Sequence, residues 1–576
     1  MSNVDKRLVE HEVRDIKDIK ELVYGSAELF KEKDAYLVKN AQNEYEGISF
    51  AQVKEDMNSL GSSLINLGLK GEKIAIIGEN RYDWAISYLS VINGVGIVVP
   101  LDKQLPQNEI ENCLTRGEVS AVIYSERLEE EIKSIAEKME GIKYFIGMDI
   151  KEDDGKFKSL SSLISRGKAL LEEGNSEYID IEIDREAVAE ILFTSGTTAK
   201  SKAVMLSHKN ICFNIVNQCA MLYIDDKDIF LSLLPIHHVY ECVCGFLTPL
   251  YRGCTVAYCE GLKYIQKNMK EAKCTMVLGV PLVFETIYRR IWQGIEKQGK
   301  TKLVKNMIKL TNGLKKIGID VKKKVFKSIY DEFGGNTRLF IAGAAAINPE
   351  VSKGFRDFGI TTLQGYGLSE CAPIVALNRT YWYKDAAAGQ PLRNTELKID
   401  NPNEEGIGEI IVKGDHVMIG YYKDEKATND VIVDGWFHTG DLGFLDEDNF
   451  VHITGRKKNV IITKNGKNVY PEEIEALIND IPYVKECMVY GKQDGRDKKD
   501  ITISAEIIAD MDNIKEKFPG KEKTIEEIKD IIWQEIKKIN EGLVIYKHVT
   551  DISIREKDFE KTTTMKIKRY MEHPNT

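Results

Sequence analysis

The sequence predicts an α/β protein built from more than one domain. Its 576 residues exceed the length of one ordinary domain and allow large buried cores. Residues 48–125 alternate between apolar positions at helical spacing and short apolar runs, an order typical of a parallel sheet covered by helices. Farther along, residues 191–207 place two apolar runs on either side of a polar loop and predict a β-hairpin.

The first alternating region gives its helices and strands in order. Residues 50–67 repeat apolar side chains at helical spacing and end at a glycine-bounded turn, which predicts a helix. The short run 73–77 predicts a buried strand. A helix at 84–93, a strand at 95–99 and a helix beginning at Gln107 follow. This order predicts parallel strands joined by helices that cross the faces of the sheet.

The overall composition excludes several classes of protein. Hydrophobic residues make up 43% of the chain and charged residues 30%, which is typical of a globular protein and not of a disordered one. The net charge of −10 argues against a nucleic-acid partner, because such binders carry a basic excess. Residues 1–15 lack the apolar core of a secretory signal. The uncharged run 84–101 is interrupted by glycine and proline, so it predicts a buried helix and strand rather than a membrane span. We therefore expect a cytoplasmic protein.

The ten cysteines are scattered without the spacing of a zinc site. Cys242 and Cys244 lie in an apolar run, where a strand would place both thiols on one face. The pair has two interpretations, a metal or redox site and two buried structural thiols, and we favour buried thiols. Reduced thiols agree with a cytoplasmic protein.

The loop of the predicted hairpin has the composition of a phosphate-binding loop. Small and hydroxyl-bearing residues allow backbone N–H groups to crowd around an anion. These residues are Thr194, Ser195, Gly196, Thr197 and Thr198. Lys202 adds a cation for the same anion. The loop is not a Walker A motif, because G-x-x-x-x-G-K-[ST] cannot be aligned with it. An ordinary solvated turn is the alternative interpretation.

The order T-S-G-T-T-x-x-x-K resembles the phosphate loop of the adenylate-forming superfamily, which includes acyl-CoA synthetases, luciferases and peptide-synthetase adenylation domains. Ala199, Ser201 and Ala203 stand at two glycine positions and a proline position of that loop. The resemblance implies a large N-terminal domain, residues 1–456, with layered α/β subdomains and a distorted β-barrel. It also implies a small mobile α+β C-terminal domain, residues 457–576.

Two further segments of the N-terminal part are similar to the same superfamily. In LSLLPIHHVYE, His238 matches the second histidine of L-P-x-x-H-V, a position between the acyl pocket and the nucleotide. This stretch lacks the aspartate with which peptide synthetases hold an amino group, which disfavours an amino-acid substrate. The segment LFIAGAAAI predicts a strand that runs into small residues. The resemblance places Ala344 of this segment against the adenine.

The segment LQGYGLSE, residues 363–370, resembles the superfamily motif Y-G-x-T-E. The ring of Tyr366 can stack on a base, and Glu370 offers a hard oxygen ligand for Mg²⁺. The resemblance implies that the nucleotide-binding residues of this segment are Gln364, Gly365, Tyr366, Gly367 and Ser369. It assigns Thr194 and Glu370 as the metal ligands.

The motifs GWFHTGDLG and TGRKKNVIITKNGKNVYPEEIE follow in the order found in the superfamily. Asp441 can accept hydrogen bonds from both ribose hydroxyls, and Arg456 can reach ribose and phosphate as a permanent cation. Lys458 matches the hinge position. The region of Gly466 matches the part that meets the pantetheine arm of coenzyme A.

The C-terminal part predicts helices at 471–479 and 524–539 and strands at 487–490 and 501–508. Near its end, KTTTMKIKR resembles K-T-x-x-G-K-I-x-R. Met565 replaces the glycine of that motif, and Lys566 matches the catalytic lysine. A solvated lysine-rich tail is the alternative interpretation.

The resemblance implies a ligase that uses ATP, Mg²⁺ and coenzyme A, and is greatest to long-chain fatty acid–CoA ligases. The residues implied to act on the reacting groups are Lys566, Lys202, Glu370 and His238. The expected reaction converts a fatty acid into an acyl-adenylate and then into acyl-CoA.

An acyl carrier protein ligase and an acyl-adenylate ligase are alternatives within the enzymes. A catalytically weakened acyl or nucleotide binder is the alternative outside them, motivated by the departures at Ala199, Ser201, Ala203 and Met565. A homodimer is a further partner that the resemblance allows.

Residues 300–330 form a basic segment in an otherwise acidic chain. They contain ten lysines and a single acid, Asp320, with apolar residues at spacings near three and four. One interpretation is a solvated face over a packed apolar stripe. The other is peripheral docking on an anionic membrane surface.

Overall fold

The protein was analysed as a computed structural model that describes residues 9–194, 201–463, 467–493, 501–520, 523–562 and 566–572. These residues divide into two units by their contacts. The first unit comprises residues 9–194, 201–396 and 412–437. The second comprises residues 397–411 and the described residues from 438 onward. The predicted domain boundary after residue 456 differs from this division and stays a prediction.

The helices and strands are numbered along the chain. The helices are α1 Ile19–Phe30, α2 Phe50–Asn66, α3 Tyr82–Ser90, α4 Gln107–Arg116, α5 Glu129–Lys138, α6 Leu160–Glu172, α7 Glu177–Asp180, α8 His208–Met221, α9 Thr248–Arg252, α10 Ile265–Ala272, α11 Pro281–Lys297, α12 Thr301–Lys316, α13 Lys322–Val325, α14 Lys327–Glu332, α15 Pro349–Phe358, α16 Glu425–Val431, α17 Pro471–Asn479, α18 Met511–Lys517, α19 Ile525–Glu541 and α20 Arg569–Glu572. The strands are β1 Asp34–Lys39, β2 Tyr45–Ser49, β3 Glu72–Ile77, β4 Gly96–Leu101, β5 Ala121–Tyr124, β6 Tyr144–Gly147, β7 Phe157–Ser159, β8 Val188–Thr194, β9 Lys202–Ser207, β10 Ile229–Ser232, β11 Thr255–Tyr258, β12 Met276–Gly279, β13 Leu339–Ala342, β14 Thr361–Gly367, β15 Ile374–Leu377, β16 Gln390–Pro391, β17 Glu396–Asp400, β18 Gly408–Lys413, β19 Gly420–Tyr421, β20 Ile432–Val433, β21 Trp436–Leu445, β22 Val451–Arg456, β23 Ile461–Ile462, β24 Asn468–Val469, β25 Val484–Gln493, β26 Ile501–Ala509 and β27 Val549–Arg555.

An eight-stranded sheet in the first unit has the order β19-β9-β8-β4-β3-β5-β6-β7. Its strands β3, β4, β5 and β6 are parallel, and α2, α3 and α4 connect or precede them, so the predicted alternation is confirmed. The predicted helix at 84–93 ends earlier, at Ser90. A π-helical turn, Val91–Val95, follows it, because Asn93 and Gly94 leave the helical conformation and Gly94 adopts a φ of 142°.

A nine-stranded sheet in the first unit has the order β16-β15-β14-β13-β12-β10-β11-β1-β2. Strands β10 to β14 are parallel. The carboxyl ends of parallel strands lie along one edge of a sheet, which is where open α/β sheets bind ligands. The loops that follow β10, β13 and β14 carry His238, Ala344 and Glu370 respectively. The topology therefore brings three separately predicted segments to one edge.

The prediction that Cys242 and Cys244 lie on a strand is wrong. Residues Tyr240–Leu247 form a π-helical turn that continues into α9, and both thiols are buried. Every residue of this turn is buried, including Glu241. A run that is buried throughout shows neither a helical nor a strand period from which the two structures could be distinguished.

The second unit is built on smaller sheets. Strands β17, β18, β21 and β22 belong to one sheet, β23 pairs with β24, and β25, β26 and β27 form a third sheet. Helices α17 and α19 lie near the predicted bounds, and α19 begins at a capping box formed by Thr524 and Glu527. Their buried faces form one core with β25 and β26, which includes Ile474, Ile478, Val489, Ile507, Ile532 and Ile536. The mixed architecture of the two units confirms the predicted α/β fold class. None of the helices in the described ranges is both long and apolar enough to span a lipid bilayer.

Candidate active site

The predicted hairpin is confirmed, and its two strands flank the predicted phosphate loop in the sequence. Strands β8 and β9 are antiparallel, and Thr194 is the register partner of Lys202. The Thr194 hydroxyl donates to the Lys202 carbonyl at 3.3 Å. The loop residues Ser195, Gly196, Thr197 and Thr198, together with Ala199, lie outside the described residues. Their roles stay predictions.

The C-terminal stem of this loop is held by Arg116, a residue that sequence reasoning missed. Its guanidinium donates to the Ser201 hydroxyl at 2.8 Å and to the Ser201 carbonyl at 2.7 Å. It also lies 5.3 Å from the centre of the Phe193 ring on the opposite stem. Because Arg116 is the last residue of α4, its contact with the hairpin joins parts of the sequence 85 residues apart.

Glu370 lies in a tight turn after β14. Gly367 ends the strand, and a Cβ at that position would lie 2.1 Å from the Pro373 carbonyl oxygen, so only glycine fits there. The Leu368 N–H donates to the same carbonyl at 2.9 Å and folds the chain back. This turn presents the half-buried side chains of Ser369 and Glu370 at the carboxyl end of the strand.

Tyr421 connects Glu370 to the hairpin. Its hydroxyl donates to Glu370 Oε1 at 2.9 Å, and the Lys202 Nζ atom lies 4.3 Å from the centre of its ring. Burial, and then the Glu370 carboxylate, raise the pKa of Tyr421 well above its usual value, so the phenol stays a donor. Sequence reasoning missed Tyr421, since its short strand gave no signal. The structure thus brings together Lys202 and Glu370 through a residue that was not predicted.

The segment predicted to line the adenine pocket also folds as a strand that ends in small residues. A Cβ on Gly343 would lie 2.6 Å from the ring of Tyr240, whose hydroxyl donates to the Ile341 carbonyl at 3.2 Å. Ala344 follows with a φ of 70°. The backbone here follows a path that favours glycine, and the Tyr240 ring packs against it. A ligand can therefore approach the backbone closely at the end of this strand.

The predicted nucleotide segment after β13 is fixed by Gln364. Its amide oxygen accepts from the Ile347 N–H at 3.2 Å, and its amide nitrogen donates to the carbonyls of Asp385 and Ala387 at 2.8 and 2.9 Å. Through these bonds the Gln364 side chain holds two loops, one at Ile347 and one at residues 385–387. Gly365 is half-buried and Tyr366 is buried in the same strand.

His238 lies in the loop after β10 of the nine-stranded sheet, and this loop is attached to the eight-stranded sheet. Its Nδ1 accepts from the Tyr240 N–H at 3.3 Å. Asn80, which follows β3, donates to the Ser232 hydroxyl at 2.9 Å and to the Leu234 carbonyl at 2.6 Å, and accepts from the Ile236 N–H at 3.1 Å. Asn80 thereby fixes the His238 loop from the eight-stranded sheet. Sequence reasoning missed it, because the contact spans more than 150 residues.

The Glu370 region fits a magnesium ion by the chemistry of its donors. Mg²⁺ takes hard oxygen ligands and is usually held in proteins by one or two carboxylates together with water and substrate phosphates. Glu370 supplies one half-buried carboxylate and Thr194 supplies a hydroxyl. Both belong to the first unit.

The predicted ribose-binding residues of the second unit are neighbours. Asp441 on β21 is the register partner of Arg456 on β22, and Arg456 Nε lies 2.8 Å from Asp441 Oδ1. The Asp441 N–H donates to the Thr439 hydroxyl at 3.1 Å, which donates to the Ile410 carbonyl at 2.7 Å. The buried Asp441 carboxylate is thus fixed on this sheet beside the Arg456 guanidinium. Lys458 lies exposed in the turn Lys457–Asn459, and Gly466 is outside the described residues.

Lys566 lies exposed near the end of the second unit. The Thr562 N–H donates to the Lys566 carbonyl at 2.8 Å, and the Lys566 N–H donates back to the Thr562 hydroxyl at 3.2 Å. Met565 is outside the described residues. The segment is anchored by Arg569, which donates to the Val489 carbonyl at 2.9 Å and pairs with Glu475. Burial raises the pKa of Glu475 to about 7, with Arg569 opposing the rise.

Two buried acids in the first unit, Glu190 and Glu241, have no assigned role in this site. Glu190 on β8 is fully buried, and the Tyr88 hydroxyl donates to its Oε2 at 3.3 Å, while Oε1 is buried without a hydrogen-bond partner. Burial raises the pKa of Glu190 to about 8. Glu241 is likewise buried, accepts from the Ser232 hydroxyl at 2.6 Å, and has its pKa raised by burial to about 8. Both acids are therefore protonated in the folded protein at neutral pH.

We expect Glu190→Gln to flatten the pH dependence of stability. Between its unfolded pKa near 4.5 and its folded pKa near 8, native Glu190 keeps a proton that the unfolded chain has released, so the free energy of unfolding falls as pH rises across this window. Glutamine cannot release a proton, so the variant should gain stability relative to wild type, on the order of 3 kcal/mol between pH 5 and pH 8. Denaturant unfolding at several pH values measures this. The exposed Glu182→Gln is the control, and an unchanged slope in Glu190→Gln would contradict the prediction.

The chain matches known protein families over most of its length. The family description "AMP-binding enzyme" matches residues 25–422, and "AMP-binding enzyme C-terminal domain" matches residues 458–571. The chain is similar to the long-chain-fatty-acid–CoA ligase ACSBG2 of Rattus norvegicus, with 27% identity over 508 residues that cover 82% of this chain and 75% of the relative. It is similar to long chain acyl-CoA synthetase 3 of Arabidopsis thaliana, with 28% identity over 79% of this chain and 73% of the relative. Its fold is similar to that of the anthranilate CoA ligase AuaEII in complex with anthranoyl-AMP, with a TM-score of 0.76, 18% identity, and coverage of 97% and 96% of the two chains.

Proposed function

The chain belongs to the AMP-binding enzyme family, and we propose that it activates a fatty acid with ATP and then transfers the acyl group to coenzyme A. The observation that carries this proposal lies in the first unit, where Lys202 and Glu370 both contact Tyr421 beside the predicted phosphate loop. A cation and a carboxylate at the ends of strands are what a phosphate chain with its metal requires. Relatives named as long-chain fatty acid ligases support a fatty acid as the substrate.

The first half-reaction makes a reactive acyl donor from an unreactive one. A carboxylate oxygen of the acid attacks the α-phosphorus of ATP, a new O–P bond forms, the bond to the bridging oxygen of the β-phosphate breaks, and pyrophosphate leaves with the electron pair. The nucleophile is already ionised, so this step needs no general base. Negative charge gathers on the phosphoryl oxygens and must be met by fixed donors and cations. We assign this task to Lys202, the loop 194–198 and Lys566.

Magnesium has a defined place in this proposal. Glu370 and Thr194 would hold the ion, which supplies positive charge for the phosphate oxygens when it is bound. The protein residues keep their own tasks. Glu370 positions a hard oxygen donor, Lys202 neutralises phosphate charge, and the Asp441–Arg456 pair offers an acceptor and a cation for ribose and phosphate.

In the second half-reaction, the thiolate of coenzyme A attacks the acyl carbon. A C–S bond forms, the bond between the acyl carbon and the phosphate oxygen breaks, and AMP leaves. We propose that residues 457–576 act as a mobile domain that turns about Lys458, withdraws Lys566 and brings the region of Gly466 to the pantetheine arm. His238, in the loop fixed by Asn80, is proposed to lie between the acyl group and the nucleotide.

A small cavity in the first unit has a largely apolar lining. Its volume is about 20 Å³, enough for about one water-sized group, so a longer chain requires its walls to move. Its lining includes Tyr240 from the His238 loop and Ile341 beside Gly343, and contains no charged residue. Those two side chains belong to the segments predicted to face the acyl group and the adenine. The lining agrees with an apolar acyl group, and the volume of the cavity is too small to hold a fatty acyl chain.

Carboxylate-dependent exchange between ATP and pyrophosphate tests the proposed function. Saturated fatty acids of graded length and a set of aryl acids are supplied in turn, and we expect the greatest exchange with long-chain fatty acids. The acceptor is then varied between coenzyme A and an acyl carrier protein, which separates the coenzyme A ligase from a carrier protein ligase and from an enzyme that stops at the adenylate. Absence of exchange with every acid would favour the weakened binder and reject the proposal.

A membrane contact through residues 300–330 is a second part of the proposal. Leu303 and Leu310 on α12, and Ile317 directly after its end, recur every seven residues, about two helical turns, and are 56%, 65% and 72% exposed. Lysines that are also exposed precede each of them: Lys302, Lys309 and Lys316. The interpretation of a packed apolar stripe therefore does not hold for Leu303 and Ile317. Apolar side chains beside lysines on an open helix face suit an anionic lipid surface.

We expect the protein to bind phosphatidylserine vesicles at low salt and to release them as salt is raised. Each lysine near an anionic membrane contributes about 1 kcal/mol, so replacing Lys302, Lys309 and Lys316 by glutamine should weaken binding on the order of 100-fold at low salt. Vesicle sedimentation measures this, with phosphatidylcholine vesicles for comparison. A variant with glutamine at Lys133, Lys138 and Lys168 has the same net charge and is the control. Equal binding by both variants, or binding insensitive to salt, would reject this contact.

A further inference from the structure

We infer that Tyr421 is a positioning residue that sets Glu370 and Lys202 for a magnesium nucleotide. This inference rests on the proposed function and names a residue to which neither the sequence motifs nor the comparisons assign a role. Tyr421 makes two different contacts with the two predicted site residues. Its hydroxyl donates to Glu370 Oε1 at 2.9 Å, and its ring lies 4.3 Å from the Lys202 ammonium.

Strand pairing explains the contact with Lys202. Strand β19 is antiparallel to β9, and Tyr421 is the register partner of Val204. Side chains two residues apart on a strand share a face, so Lys202 lies on the face of Val204 and is a diagonal neighbour of Tyr421. An ammonium over a tyrosine ring is attracted by the negative face of the ring. The ring therefore gives Lys202, at the end of the phosphate loop, a preferred position.

The backbone of Tyr421 is itself held in place. The Tyr421 N–H donates to the Thr428 hydroxyl at 2.9 Å. Gly420 adopts a φ of 153°, and a Cβ there would lie 2.8 Å from the Thr428 methyl group, so the close approach requires glycine. The Tyr421 side chain is 4% exposed. A buried ring on a fixed backbone cannot move away from its two partners without disturbing this packing.

The turn that carries Glu370 is held by hydrogen bonds from Met418 and from Asn214. The Met418 N–H donates to the Glu370 carbonyl at 2.8 Å. From α8, the Asn214 amide donates to the carbonyls of Cys371 and Ile374, both at 3.0 Å. These bonds hold the backbone of the turn, and they leave the orientation of the carboxylate to Tyr421. Partners of this kind orient metal ligands, and their loss commonly costs tenfold or more in metal affinity.

The two contacts of Tyr421 can be separated by substitution. Tyr421→Phe removes the hydroxyl and keeps the ring over Lys202. Tyr421→Leu removes both contacts. Tyr422→Phe is a matched control on the next residue, because Tyr422 also donates to a glutamate, Glu118 Oε2 at 2.7 Å, in a pair away from Lys202 and Glu370.

The test measures ATP binding by calorimetry without a carboxylic acid, so that no reaction takes place. Each protein is titrated with ATP once in excess Mg²⁺ and once in EDTA. We expect Tyr421→Phe to bind ATP about tenfold more weakly than wild type in Mg²⁺ and within twofold of wild type in EDTA. Tyr421→Leu should be weaker under both conditions, and Tyr422→Phe should match wild type under both. Thermal unfolding of each variant accompanies the titrations.

Three results would overturn the inference. The first is equal binding by Tyr421→Phe and Tyr422→Phe in Mg²⁺. The second is a loss by Tyr421→Phe that is equally large in EDTA, which would indicate a general structural role. The third is wild-type protein that does not bind ATP at all, in which case the proposed function fails first. The titrations of Tyr421→Phe in Mg²⁺ and in EDTA are enough to distinguish the first two results. The test therefore stands even if Tyr421→Leu does not fold.

Discussion

Replacing Lys566 by alanine should remove acyl-adenylate formation and leave thioester formation from supplied acyl-adenylate nearly intact. Lys566 is exposed in the second unit, in a segment fixed by Thr562 and anchored by Arg569, so the substitution should not disturb the fold. Loss of one cation that meets transition-state charge costs on the order of 10²–10³-fold in rate. Exchange between ATP and pyrophosphate measures the first half-reaction, and release of acyl-CoA from synthetic acyl-adenylate measures the second.

The control for this prediction is Lys568→Ala, in the same lysine-rich segment. The Lys568 N–H donates to the Glu560 carbonyl at 2.8 Å, a bond that alanine keeps. We expect both half-reactions of this variant to match wild type. Equal losses of both half-reactions in Lys566→Ala would show that Lys566 does not serve one step alone, and the proposed movement of residues 457–576 would be wrong.

Replacing Glu370 by glutamine should lower the exchange rate on the order of 10²–10³-fold, and the loss should appear only in the half-reaction that makes pyrophosphate. The amide oxygen can still accept from the Tyr421 hydroxyl, so the turn keeps its contacts. An amide lacks the negative charge with which a carboxylate holds Mg²⁺. The dependence of exchange on Mg²⁺ concentration, measured for variant and wild type, should shift to higher concentration.

Glu118→Gln is the matched control for this substitution. Glu118 also accepts a hydrogen bond from a tyrosine, Tyr422, and it pairs with Lys423 and Lys73 instead of with Lys202. Its exchange rate should match wild type. Full exchange by Glu370→Gln with an unchanged Mg²⁺ dependence would remove Glu370 from the metal site.

The sequence predicted those parts of the site that depend on local order. The hairpin that carries Thr194 and Lys202 follows from two apolar runs and a polar loop, and the segment of Glu370 is identified by its resemblance to Y-G-x-T-E. Tyr421 could not be predicted in this way. Its strand has two residues, and its position depends on pairing with β9, more than 200 residues earlier. Arg116 and Asn80 escaped prediction for the same reason, since each acts on a loop far away in sequence.

Periodicity also failed where burial is uniform or where a helix has an open face. The run around Cys242 and Cys244 is buried throughout, so its residues show neither a helical nor a strand period. In residues 300–330 the apolar spacing allows a packed stripe or an open membrane-docking face. The structure divides the segment into α12, α13 and α14, with Leu303 and Ile317 exposed and Phe326 buried. A spacing of three and four cannot show where a helix ends.

The core formed by α17, α19 and strands β25 and β26 has a consequence for how the chain could be divided. The core side chains described for it lie between residues 461 and 552, and the strand pairings described beyond residue 456 are made among strands of that same stretch. A fragment beginning at residue 457 would therefore carry its own interior and its own backbone ladder. It has the properties of an autonomous folding module, whose amide protons would exchange slowly even when it is severed from the rest of the polypeptide.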